Sequence, residues 1–130
     1  MSLFIFLELS QLNQDFHPRS VEVEYYLDLS CSACLDAWPT ISRVTKTYSA
    51  LGVKFSFRIF PLPYHQQAFI LSKATAIVDF YSDSPDVVFS FMNTCYENQD
   101  KILNSATAGM SYNEVVELVG GWVVGKFARF

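Results

Sequence analysis

The chain reads as an α/β protein, and three observations carry that expectation. Val21 to Leu29 and Val53 to about Phe60 have strand character, the second with Val53, Phe55, Phe57 and Ile59 alternating with Lys54, Ser56 and Arg58. The intervening segment, roughly Cys31 to Leu51, reads as a helix closed by Gly52, so the two strands should pair in parallel as a right-handed βαβ unit. From Pro63 onward the apolar spacing is helical. One domain over residues 1–130 is expected, with a βαβ unit at 21–60 and a helical region at 63–125.

Taken in order, Met1 to Leu9 is apolar but has no basic flank and no small-residue cleavage site. It falls short of a signal peptide and of the roughly 20 residues of a membrane span. It is either an added edge strand or a remnant of altered processing, and Asn13 to Ser20 is a polar link. In the first helix Pro39 removes one backbone bond, yet Ile41, Val44, Thr45 and Tyr48 continue an apolar stripe, which predicts a kinked helix rather than one that stops at Trp38. Pro61 and Pro63 turn the chain out of the second strand. The next helix is expected from about Tyr64 to Tyr81, apolar at Phe69, Ile70, Ala74, Ile77 and Phe80. Ser84-Pro85-Asp86 supplies a cap, a first-turn proline and a first-turn acid for a helix ending near Tyr96. A short helix from Lys101 to about Ala106 follows. Ser111-Tyr-Asn-Glu114 is a capping box that introduces Val115, Val116, Leu118 and Val119, and Gly120-Gly121 weakens what comes after.

At 130 residues with 51% hydrophobic and 16% aromatic side chains, the chain has ample material for one core. A net charge of −4 without a basic stripe argues against nucleic acid as a partner, and no segment argues for a membrane. Three cysteines are too few for a disulfide-stapled scaffold. With no address legible, the cytoplasm is the default location.

The feature that carries chemistry is Cys31-Ser-Ala-Cys34, placed where a strand hands over to a helix. At a helix N-terminus, unpaired N–H groups and the positive end of the macrodipole favour thiolate, so Cys31 is the expected nucleophile. Cys34, one turn further in, is the expected resolving thiol that attacks a mixed disulfide at Cys31. Such exchange needs no cofactor. Two other readings stand beside it. The pair is half of a zinc site only if two further ligands come from Cys95, His17 and His65, none of which is paired at a short ligand spacing. Alternatively both cysteines are simply packed residues of a buried segment.

The run Glu24-Tyr-Tyr-Leu-Asp-Leu-Ser-Cys-Ser-Ala-Cys-Leu-Asp-Ala-Trp-Pro39, with Phe60-Pro-Leu-Pro-Tyr-His65 after the second strand, resembles the DsbA-like branch of the thioredoxin superfamily. The resemblance covers about Val21 to Tyr81 and extends more weakly to about Gly121. It implies a thioredoxin-like βαβ unit with a helical insertion and thiol–disulfide oxidoreductase activity through Cys31 and Cys34. It also implies protein thiols or disulfides as partners, with glutathione as a further one. Three departures qualify it. Ser32-Ala33 replaces the proline, glycine or histidine often found between the cysteines. Tyr25 stands where the family has a buried acid, and Glu24, one residue off, should face the other side of the sheet. No proline precedes a strand in the second half, so the family's cis-proline loop, hairpin and last helix are expected to be missing, with an incomplete sheet whose edge and bare face invite a homodimer. A catalytically weak, truncated interaction module is therefore the rival reading, and a kappa-type glutathione transferase relative is a further one that the second cysteine opposes.

Several residues are expected to do less than they suggest. Asp28 is assigned to a turn contact or solvation, His65 to a structural or solvent-facing position, and Cys95 to a packed thiol. Trp38 and Tyr26 either line a peptide surface or belong to the core; Phe89, Phe91 and Met92 are core or a hydrophobic substrate face.

Overall fold

A computed structural model describes Leu7–Glu8 and residues 21–127. The link at Asn13 to Ser20, with His17 and Pro18, and the last three residues lie outside that range. The protein is α/β. Strand β2 (Glu22–Leu27) pairs in parallel with β3 (Lys54–Ile59), in register from Glu22 opposite Lys54 to Leu27 opposite Ile59. A two-residue strand β1 (Leu7–Glu8) runs antiparallel along the other side of β3, giving the order β1-β3-β2. The opening apolar segment thus supplies an edge strand. Among the described residues the outer edge of β2 has no partner strand.

The alternation of the strands sorts their residues onto two unlike faces. On one, Tyr25 stacks on Phe55 with ring centroids 6.0 Å apart and leans on Phe57 at 5.3 Å, while Trp38 and Phe89 close over Phe57 at 6.2 and 4.8 Å. On the other, the Glu24 carboxylate accepts from Arg58 at 2.6 Å and from the Tyr26 hydroxyl at 3.1 Å, and Glu22 accepts from Ser56 at 3.1 Å. Glu24 therefore points away from the core, as its register requires. Tyr26 belongs to this polar face and is exposed, neither core nor a thiol-side surface.

Helix α1 (Ser32–Ser49) continues past Trp38 and through Pro39, whose position on the exposed side leaves the apolar stripe intact. It ends two residues short of expectation, because Leu51 and Gly52 N–H groups reach back to Tyr48 and Ser49. Gly52 then takes a positive φ of 87°, which only glycine adopts without strain.

Helix α2 (Ala68–Tyr81) begins four residues later than the apolar pattern suggested, since residues 62–68 are held in turns closed by His65 N–H to Leu62 and Ala68 N–H to His65. Its buried face also differs. Ile70 and Ala74 are buried, but Phe69, Ile77 and Phe80 are exposed, and Leu71, Thr75 and Val78 take their place. The helix is apolar nearly all round, so periodicity alone does not choose the face. The Thr75 hydroxyl, back-bonded to the Leu71 carbonyl at 2.8 Å, is satisfied inside the core.

Helix α3 (Pro85–Glu97) starts as expected, with the Ser84 hydroxyl accepting from Asp86 N–H at 3.2 Å. Phe91 and Met92 are fully buried, and Phe89 packs between Trp38 and Phe57, so this face is core. In place of a helix at 101–106 there is a 3-10 turn (Gln99–Lys101) and a four-residue helix α4 (Asn104–Thr107). Helix α5 (Tyr112–Phe127) opens on the capping box, Ser111 N–H to Glu114 at 2.7 Å and Glu114 N–H to Ser111 at 3.3 Å. It continues unbroken through Gly120-Gly121. Val115 and Val119 are buried where α5 lies against α2 and α3, and that packing outweighs the weak propensity of the two glycines.

A Cβ at Gly120 or Gly121 would meet nothing within 4 Å. Gly121→Ala should therefore raise stability by about 0.5–1 kcal/mol, whereas Gly52→Ala should lower it by about 1 kcal/mol, both read from urea unfolding midpoints. A loss at Gly121→Ala would show that α5 does not run through that point.

Candidate active site

Between β2 and α1 the chain makes one tight turn, and the Asp28 carboxylate organises it. Asp28 is buried; Oδ1 accepts from Ser30 N–H at 2.7 Å, and Oδ2 accepts from Leu62 N–H at 3.0 Å and faces His65 Nδ1 at 2.7 Å. Its backbone carbonyl accepts from Cys31 N–H at 3.1 Å. The turn contact expected of Asp28 is present. His65 is held against Asp28, a partner that was not foreseen. The signal was available in the parallel register: Leu27 opposite Ile59 brings the two loops that leave these strands side by side.

A second clamp comes from Gln99, which follows the end of α3. Its buried side-chain amide donates to the carbonyls of Leu29 and Cys31, each at 3.0 Å. Nothing local in the sequence marks this residue, because its partners lie about seventy positions away along the chain.

Cys31 is the N-cap of α1, in extended backbone, and its side chain makes no capping bond. Its carbonyl accepts from Leu35 N–H at 3.0 Å, so the backbone is engaged while the sulfur stays available. Cys34 lies one turn in. Both are free thiols and half-buried, and Ser32 and Ala33 between them are exposed. Burial is the main reason the Cys34 thiol is pushed up; a backbone hydrogen bond from Asp28 acts the other way, and the neighbouring Cys31 and the Asp28 charge add to the rise. Cys34 therefore keeps its proton at neutral pH, and its hydrogen-bond partner is Cys31.

The wall behind the thiols is aromatic. Trp38, one turn beyond Cys34, is buried against Tyr96 at 5.2 Å and donates from Nε1 to Asn93 at 2.6 Å, which makes it core rather than peptide surface. Tyr96 is buried as well, and its hydroxyl has no hydrogen-bond partner. Cys95, fully buried on α3, is held well above the ordinary thiol range by desolvation, so it is a packed, inert thiol. Among the described residues, no three His, Cys, Asp or Glu side chains gather as a set that could hold a metal ion.

Set against family models, curated proteins and solved structures, the chain matches none of them.

Two measurements test this geometry. In the reduced protein, alkylation of Cys34 and Cys95 at pH 7–8 should lag that of unfolded cysteine, with the Cys34 rate rising only at a pH above the ordinary thiol midpoint, followed by mass spectrometry of each peptide. Asp28→Ala, which strips Ser30 and Leu62 N–H groups of their acceptor, should cost about 2–4 kcal/mol in denaturant unfolding.

Proposed function

We propose that this protein is a thiol–disulfide oxidoreductase with a thioredoxin-like, DsbA-type architecture, acting through Cys31 and Cys34. The observation that carries this reading is the placement of Cys31. It caps a long helix at the carboxyl end of a parallel strand, makes no capping bond with its side chain, and has the Cys34 thiol one turn behind as its hydrogen-bond partner. In open α/β sheets that end of the strands is where ligands and chemistry gather, and a helix N-terminus stabilises a thiolate at the capping position.

The reaction is two exchanges. The Cys31 thiolate attacks one sulfur of a substrate disulfide; a Cys31–substrate bond forms, the substrate S–S bond breaks, and the first substrate sulfur leaves and takes up a proton. Cys34 then attacks the Cys31 sulfur, releasing the second substrate thiol and leaving Cys31 and Cys34 joined. Two electrons pass from the dithiol to the substrate, so the electron count closes without a further group, and the reverse sequence oxidises a substrate dithiol. Protein thiols and disulfides fit the exposed Ser32-Ala33 approach, and glutathione fits as the small thiol that resets the pair.

A second reading rests on the outer edge of β2, which has no partner strand among the described residues. Such an edge pairs readily with another chain, which supports a homodimer or an interaction module that retains the fold with little catalysis.

Insulin reduction separates the two. Wild type should turn over insulin disulfides in the presence of a small dithiol, Cys31→Ser should lose at least a hundredfold, and Cys34→Ser should accumulate a mixed disulfide visible by mass. Equal activity in wild type and Cys31→Ser would remove the oxidoreductase and leave strand pairing as the role.

A further inference from the structure

The buried hydroxyl of Tyr96 stands out because a phenolic O–H inside a protein ordinarily has a partner, and this one has none. Its location follows from its neighbours. The Tyr96 ring lies 5.2 Å from Trp38, which is four residues after Cys34 and so on the same face of α1. Three residues beyond Tyr96, Gln99 donates to the Cys31 carbonyl at 3.0 Å. The end of α3 therefore closes over the inner side of the thiol pair, with Tyr96 between these two contacts.

We propose that the Tyr96 hydroxyl is held in reserve for the Cys34 sulfur, donating a hydrogen bond to the thiolate that Cys34 becomes when it attacks a mixed disulfide at Cys31. This rests on the exchange chemistry proposed above. In the resting dithiol the Cys34 sulfur is neutral and a weak acceptor, so the hydroxyl gains little from it. Once the proton leaves, the sulfur is charged and half-buried with the Asp28 backbone N–H as a donor, and a further hydrogen bond to it becomes worth making. Burial pushes the Tyr96 phenol far above its ordinary range, and Cys34 is foremost among the charges that add to the rise, so the group donates and never accepts a proton. The atoms balance: the S–H bond of Cys34 breaks, Cys31–Cys34 forms, Cys31–substrate breaks, and the departing substrate sulfur ends with a proton. The groups facing Cys34 are Cys31 and Asp28 from the turn, with His65 behind Asp28, and Tyr96 from α3, whose own neighbour Cys95 feels the charge of Lys126 on α5.

Tyr96→Phe is the test, because it keeps the ring against Trp38 and removes only an unpaired hydroxyl. Thermal stability should be unchanged or slightly higher. A charged hydrogen bond makes Cys34 roughly ten- to a hundredfold more acidic. Nucleophilicity falls with acidity by a Brønsted factor near 0.45, so the net expectation at pH 7 is resolution about three- to twelvefold slower in the variant. The pH profile of resolution should move to higher pH, and the deficit should vanish or reverse at high pH, which a merely structural change would not produce. The rate is read by stopping a preformed Cys31 mixed disulfide with acid at timed intervals. As an equilibrium check, the alkylation midpoint of Cys34 in Cys31→Ser should rise when Tyr96→Phe is added. An unchanged profile and midpoint would overturn the role of Tyr96 while leaving the exchange chemistry intact. Failure of Cys34→Ser to trap any mixed disulfide would instead overturn the exchange reading, and this proposal with it.

Discussion

Everything at the thiol end of the molecule depends on one buried carboxylate. A carboxylate taken out of water costs several kcal/mol unless donors replace the lost hydration, and Asp28 finds three: two backbone N–H groups and the His65 ring. These donors come from both sides of the parallel pair. Ser30 lies on the turn that leaves β2, while Leu62 and His65 lie on the loop that leaves β3. Satisfying Asp28 therefore fixes the two loops to one another, and the Asp28 carbonyl then receives Cys31 N–H and sets where α1 begins. The direction of the Cys31 sulfur is a consequence of solving a desolvation problem three residues earlier.

What could be read from the sequence was whatever local chemistry decides. The alternation in Val53 to Ile59, the Ser84-Pro85-Asp86 start and the Ser111–Glu114 box involve partners within a few residues, and each is found as expected, with bounds shifted by a residue or two. Decisions made by distant partners were hidden. The buried face of α2 is chosen by α3 and α5, so Phe69, Ile77 and Phe80 came out exposed. Gly120-Gly121 stays helical because Val115 and Val119 anchor α5. Of the candidate site, Cys31 and Cys34 were legible as a spacing, but Gln99, the His65 contact and the bare Tyr96 hydroxyl exist only after the chain has folded back on itself.

The apolar surplus in the composition is also disposed of differently from what an incomplete sheet suggests. Among the described residues, the sheet face opposite the aromatic cluster carries polar groups: Glu24 with Arg58 and Tyr26, and Glu22 with Ser56. The surplus lies on helix surfaces instead, at Phe69, Ile77 and Phe80 of α2 and at Tyr112 and Val124 of α5. Among the described residues, the exposed apolar groups that could support pairing therefore lie on the helices rather than on this polar sheet face.

The two thiols are inequivalent, and in the proposed exchange that inequivalence would order their reactions. Apart from burial, part of what holds the proton on Cys34 is Cys31 itself, as a neighbouring charge and as the acceptor of the Cys34 hydrogen. Both effects require a Cys31 sulfur that is free. When Cys31 is bonded to a substrate sulfur it carries no charge and accepts more weakly, so two of the influences opposing ionisation of Cys34 are lifted at that moment. The inner thiol is restrained while the outer one is free and released when the outer one is captured. In the proposed exchange, the order nucleophile first, resolving thiol second would then follow from the electrostatics of two sulfurs one helical turn apart.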